Sequence, residues 1–206
     1  MSKRANSYST FKESDLRHLG IKVISEQHFA QPISLIKPSE LLLKILERNL
    51  KMPIITEKAK SELIVTPILT ELVEQNNDTF TFYSGHNFDV DTQQGLKGFC
   101  DFLFTLQPKS FFVESPVFAV IEAKKDEIDM AVPQCVAQLY AAQLFNAANN
   151  HQFPFIYGAI TTGYDWRLVK FSNMTAVVDT DLYTLRNLSE LMGVLQLVVN
   201  YYKNTI

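Results

Sequence analysis

Two apolar runs that carry charge constrain this chain most. Gly98-Phe99-Cys100-Asp101-Phe102 sets an acid inside the run from Gly98 to Leu106. Ile121-Glu122-Ala123-Lys124 ends a second run, Val117 to Lys124, with Glu-x-Lys. Successive side chains of a strand alternate between faces, so Glu122 and Lys124 point the same way if the second run is a strand. A turn-rich gap opened by Gln107-Pro108-Lys109-Ser110 separates the runs, and antiparallel pairing across it brings Asp101 near Glu122. Burying such charges is costly unless they pair or hold a metal. Two carboxylates suit a hard divalent cation such as Mg²⁺, and a lysine beside them can position or activate a water or stabilise developing charge. That combination suits phosphodiester hydrolysis.

The rest of the chain supplies a scaffold. The first nine residues are polar, and residues 10–50 read as helical, with Pro38-Ser39-Glu40 opening an apolar-periodic segment from Leu41 to Leu50. Thr56 is the expected N-cap of a long helix from Glu57 to about Gln75. Its apolar face carries Ile64, Ile68 and Leu72, and Pro67 should kink or break it. Asn76-Asn77-Asp78 reads as a turn, Thr79 to Tyr83 as a strand and Ser84-Gly85-His86-Asn87 as a second turn. Asp129 is the expected cap of a helix running through Gln134 to about Ala148. Phe155 to Thr161 has the near-continuous apolar character of a central strand. Gly163-Tyr164-Asp165 turns into a strand from Trp166 to Phe171, with the packing of that hairpin as the expected role of Tyr164 and Trp166. A short strand, Thr175 to Val178, and an amphipathic helix, Leu188 to Tyr202, complete the order. The expected fold is α/β, a mixed central sheet flanked by helices. It forms a single globular domain in which an N-terminal helical region, residues 1–54, packs on a core of residues 55–206.

Composition excludes several function classes. Of 206 residues, 47% are hydrophobic and 20% charged, enough for one sizeable core. A net charge of −3 argues against a protein that coats nucleic acid through bulk positive charge. It leaves room for an enzyme whose cations line one cleft. Cys100 and Cys135 form neither a disulfide framework nor a zinc pattern, and the four histidines are scattered. No Gly-rich phosphate loop or nucleophile elbow is present. The N-terminus has no apolar signal-peptide core, and no run reaches the ~20 apolar residues of a membrane helix. The expectation is a cytoplasmic protein without a membrane partner.

The pattern Gly98-x-x-Asp101, Glu122-Ala123-Lys124 and a following glutamine-bearing helix resembles the PD-(D/E)XK nuclease superfamily over roughly residues 55–172. Within it, the chain looks most like the small restriction-endonuclease-like proteins and the nuclease domain of type I restriction enzymes. The resemblance implies a restriction-endonuclease-like sheet and Mg²⁺ as cofactor, with Mn²⁺ able to substitute. Asp101 and Glu122 would be metal ligands, joined by the carbonyl of Ala123, and Lys124 would serve the attacking water. It also implies a further acid on the preceding helix, for which Glu62 and Glu57 compete: Glu62 lies closer to the strands in sequence and is favoured, while Glu57 falls nearer the apolar face if the helix is continuous. Gln134 and Gln138, one helical turn apart, would face the nucleic-acid backbone. Tyr140 departs from the Gln-x-x-x-Tyr spacing of RecB-type members. The implied partner is DNA, with RNA left open. The apolar faces near 41–50 and 188–202 offer surfaces for a homodimer. The competing expectation is a binding or assembly protein that keeps this fold without catalysis, consistent with the acidic pI of about 5.8.

Overall fold

The computed structural model describes residues 7–28, 33–106 and 110–203. The polar start through residue 6 and the loop at Gln107-Pro108-Lys109 lie outside them. The centre is an eight-stranded mixed sheet. Its strands are β1 (Lys22–Glu26), β2 (Thr81–Asn87), β3 (Phe99–Thr105), β4 (Val117–Ala123), β5 (Ile156–Thr161), β6 (Asp165–Ser172), β7 (Thr175–Asp179) and β8 (Tyr183–Thr184). The spatial order is β1-β7-β6-β5-β4-β3-β2, with β8 added to the first residues of β6. β5 is buried at every position, as its apolar run requires, and pairs parallel with β4 and antiparallel with β6.

Alternating residues of the strands feed two cores. On one side, Phe102, Phe104, Phe118, Ile121, Trp166 and Leu168 pack against α2 (Glu40–Asn49), α4 (Thr66–Gln75) and α6 (Leu188–Lys203). On the other, Leu103, Val120, Ile160, Val169 and Phe171 pack against α1 (Glu13–His18) and α5 (Val132–Ala148). Gly158 of β5 lets α5 approach closely. A Cβ there would lie 2.9 Å from Cys135 Sγ and 3.0 Å from Leu139 Cδ1. α6 spends its apolar face, including Leu191, Met192, Val194 and Leu195, on the core, so the expected dimer surface at 188–202 is an internal one. Among the described residues no helix is long and apolar enough to cross a membrane.

The helix around Pro67 absorbs the proline without breaking. Thr56 caps α3 (Glu57–Lys60), accepting a hydrogen bond from the Ala59 N–H at 3.1 Å. A π-helical stretch, Ser61–Val65, then joins it to α4. Proline has no N–H to offer the carbonyl four residues back, that of Leu63. That carbonyl instead accepts from Nδ2 of buried Asn49 at 2.8 Å, which pins the end of α2 to the helix bend. Ser39 fixes the other end of α2: its N–H and Oγ donate to the Glu71 carboxylate at 2.8 and 2.7 Å.

Three local expectations are corrected. The N-terminal region is not wholly helical, because residues 22–26 form β1, parallel to β7. Residues 84–87 do not turn but continue β2, with Gly85 supplying a positive φ of 61° inside the strand. Asp129 does not cap α5. It opens a single 3-10 turn, Asp129–Ala131, and lies 3.6 Å from Arg167 Nε, while Ala131 holds the cap position ahead of Pro133.

Candidate active site

The antiparallel register of β3 and β4 runs through Phe102↔Ile121, so Asp101 and Glu122, the next residues outward, lie side by side at one end of the sheet. Asp101 is fastened there by its Oδ2, which accepts the Ala123 N–H at 2.8 Å. Glu122 is 2% exposed. Both its oxygens take donors: Lys124 Nζ at 2.7 Å and Gln134 Nε2 on Oε1, and Gln138 Nε2 at 2.8 Å on Oε2. Lys124 Nζ also reaches Gln134 Oε1 at 3.1 Å, closing a small ring of polar groups. The parallel neighbour β5 steadies the ring from behind, since the Lys124 N–H donates to the Thr161 carbonyl at 2.7 Å.

Asp101, Glu122, Lys124, Gln134 and Gln138 therefore meet in one cluster, with Ala123 as its backbone link. The two glutamines share one helix face, as their spacing predicts. Both face Glu122; Gln138 is completely buried and donates to the carboxylate from beneath the surface. Glu62 is not brought to the cluster. It lies 3.7 Å from Lys58 and lines a surface groove with Leu41, Leu42 and Ile45. The helix acid whose charge reaches Asp101 and Lys124 is Glu57. Tyr140 lies away from this chemistry, its ring 5.9 Å from that of Phe171. Trp166 is fully buried in the hairpin. A residue not anticipated from sequence is Lys60, nearly buried, whose ammonium donates to the Lys125 carbonyl and lies 3.8 Å from Asp126. It holds the segment that follows Lys124.

Electrostatics set two acids against each other. Burial, then the neighbouring Asp101 charge, pushes the Glu122 carboxyl up to about 7 despite the pull of Lys124. Burial raises Asp101 as well, against the Ala123 N–H and Lys124, and Glu57 adds to the rise. For Lys124 burial disfavours the ammonium, yet Glu122, Glu57 and Asp101 outweigh it and the net shift is upward, so Lys124 is cationic at neutral pH. The donor set fits a hard divalent cation: adjacent carboxylates on a rigid strand pair, whose ionisation a cation would favour. Among the described residues no three or more His, Cys, Asp or Glu gather as a metal cluster, so further ligands would be backbone carbonyls or water.

A pH test follows from the raised Glu122. The folded state holds its proton above the usual carboxylate range, so this group's stabilising effect is greatest at low pH and is lost as pH rises towards about 7. The His28 imidazole, lowered chiefly by burial, titrates with the opposite sign. The comparison is therefore between wild type and Glu122→Gln, melted from pH 5 to 8 in a chelator. Wild type should lose stability relative to the variant as pH rises, and Mg²⁺ should reverse that loss. Parallel curves for the two proteins would exclude a raised Glu122.

No protein-family model matches this chain, and neither a curated protein nor a solved structure matches it.

Proposed function

We propose that this chain is a divalent-metal-dependent nuclease of the PD-(D/E)XK type, with a restriction-endonuclease-like core, that hydrolyses phosphodiester bonds of DNA. The observation that carries the reading is the pair of adjacent buried acids, Asp101 and Glu122, with a cationic lysine on the same carboxylate. Bound there, Mg²⁺ or Mn²⁺ would lower the pKa of a water and neutralise charge on the scissile phosphate. Asp101 and Glu122 would hold the cation, and the Ala123 carbonyl would offer a further backbone oxygen. Lys124, protonated at neutral pH, orients the attacking water and offsets charge developing on the phosphate; its raised pKa makes it a poor general base. Gln134 and Gln138 keep the Glu122 carboxylate in one orientation, and Glu57 adds negative potential on the side of α3.

The second reading, a binding or assembly protein without catalysis, draws on the same carboxylate. Protein donors already occupy both oxygens of Glu122. Calorimetric titration of Mg²⁺ and Mn²⁺ into wild type and Asp101→Ala, with plasmid cleavage assayed on the same samples, separates the two. Binding and cleavage that vanish together in Asp101→Ala are expected. A wild type that neither binds a cation nor cuts DNA, RNA or single strands would replace the nuclease with the second reading.

A further inference from the structure

β1 is the outer strand at one edge of the sheet, and all five of its residues are exposed, including Val23 and Ile24. Its register with β7 runs from Lys22↔Thr175 to Glu26↔Asp179. The Lys22 N–H donates to Met174 O at 2.9 Å, and the Thr180 N–H donates to Glu26 O at 3.2 Å. In a parallel ladder these bonds identify Lys22, Ile24 and Glu26 as the residues whose peptide groups face β7. The N–H and C=O groups of Val23 and Ser25 consequently face outward. Protein edges are usually protected by short length, charged side chains, prolines or bulges; Lys-Val-Ile-Ser-Glu is short and has no proline, and its two charges, of opposite sign, stand at its ends.

We propose that this edge pairs antiparallel with β1 of a second copy of the chain, about a two-fold axis through Ile24. Two observations select this occupant. The first is hydrogen-bond parity. With the axis at Ile24, Val23 of one copy lies opposite Ser25 of the other. Both residues present outward peptide groups, so each pair exchanges two N–H···O bonds. The second is charge. The same register sets Lys22 opposite Glu26 of the second copy at both ends, in the closer, non-hydrogen-bonded positions where side chains interact most directly. A parallel arrangement would set lysine beside lysine. The antiparallel contact is isologous, so it closes as a dimer and does not propagate. Its short length makes it a small, transient interface in rapid exchange with monomer.

The test is sedimentation velocity of the full chain across concentrations up to ~1 mM, for wild type, Lys22→Glu, Glu26→Lys and the double charge swap. Circular dichroism confirms that each is folded; these side chains are exposed, and the β1–β7 bonds use only backbone. Wild type should shift towards dimer as concentration rises. Each single variant sets like charges opposite one another at both ends and should remain monomeric, and the double swap should restore the dimer. In Ser25→Pro the outward donor is lost while the bonds to β7 stay, and dimer should vanish there too. A monomeric wild type, a dimer untouched by the single reversals, or a double swap that stays monomeric would each overturn the proposal.

Discussion

Lys124→Ala is expected to lower DNA cleavage by roughly 10³-fold or more, the scale of losing one positioned charge at a phosphate reaction centre. The loss has two sources. The ammonium that would orient the water and offset charge on the phosphate disappears. Glu122 also loses its nearest cation, so its proton is held more tightly and its oxygens become poorer ligands at neutral pH. Metal affinity should therefore weaken along with turnover, and the deficit should shrink as pH is raised through the Glu122 range. Gln134 and Gln138 still hold the carboxylate, so the variant should keep a cooperative melt. Cleavage rates against pH, with circular dichroism on the same preparations, check both parts. Wild-type rates from folded Lys124→Ala would eliminate this site as the reaction centre.

The second large effect concerns stability. Gly193→Ala on α6 should destabilise the protein by about 2 kcal/mol, a drop of roughly 4–8 °C in Tm for a chain of this size. Two terms oppose. Alanine is the better helix former by about 1 kcal/mol. Its methyl, however, would be built onto the Ser34 carbonyl oxygen and 2.9 Å from Ile33 Cγ2. The segment carrying those atoms cannot simply swing away, because the Ile36 N–H donates to the Ser189 carbonyl on the same helix at 3.0 Å. Overpacking against backbone costs up to about 3 kcal/mol, so the clash outweighs the propensity gain. Thermal melting decides it, and a Tm at or above wild type would mean that residues 33–36 yield freely.

Much of this architecture could be read from periodicity, and each miss has its own cause. β3, β4, β5 and β6 carry their burial in the sequence as apolar runs or alternation. β1 does not, because neither of its faces is buried; a strand defined only by backbone pairing to β7 leaves no hydrophobic signature. Gly85 looked like a turn residue because positive φ is common in turns, and here the same conformation sits inside a strand. At the site, Asp101, Glu122 and Lys124 were legible as charges in apolar surroundings. The choice between Glu57 and Glu62 was not. Closeness in sequence to the strands favours Glu62, yet the charge that reaches Asp101 and Lys124 is that of Glu57, the residue that continuous helical spacing sets nearer the apolar face. The spacing of Gln134 and Gln138 puts them on one helix face, but only the close seat of α5 over Gly158 shows that this face serves Glu122.

The β1–β7 pairing also has a history in time. Its partners stand about 150 residues apart, with Lys22 opposite Thr175. During synthesis at ~5–20 residues per second, β1 leaves the ribosome roughly 8–30 s before β7 exists. The pairings from β2 to β6 join strands nearer to one another in sequence, so none of them has to wait for a partner as distant as that of β1. β1 can join only when the chain is nearly complete. The N-terminal strand is thus seated with β7 near the end of synthesis, followed only by the two-residue β8, and a nascent chain that lacks residue 175 has no partner to offer β1.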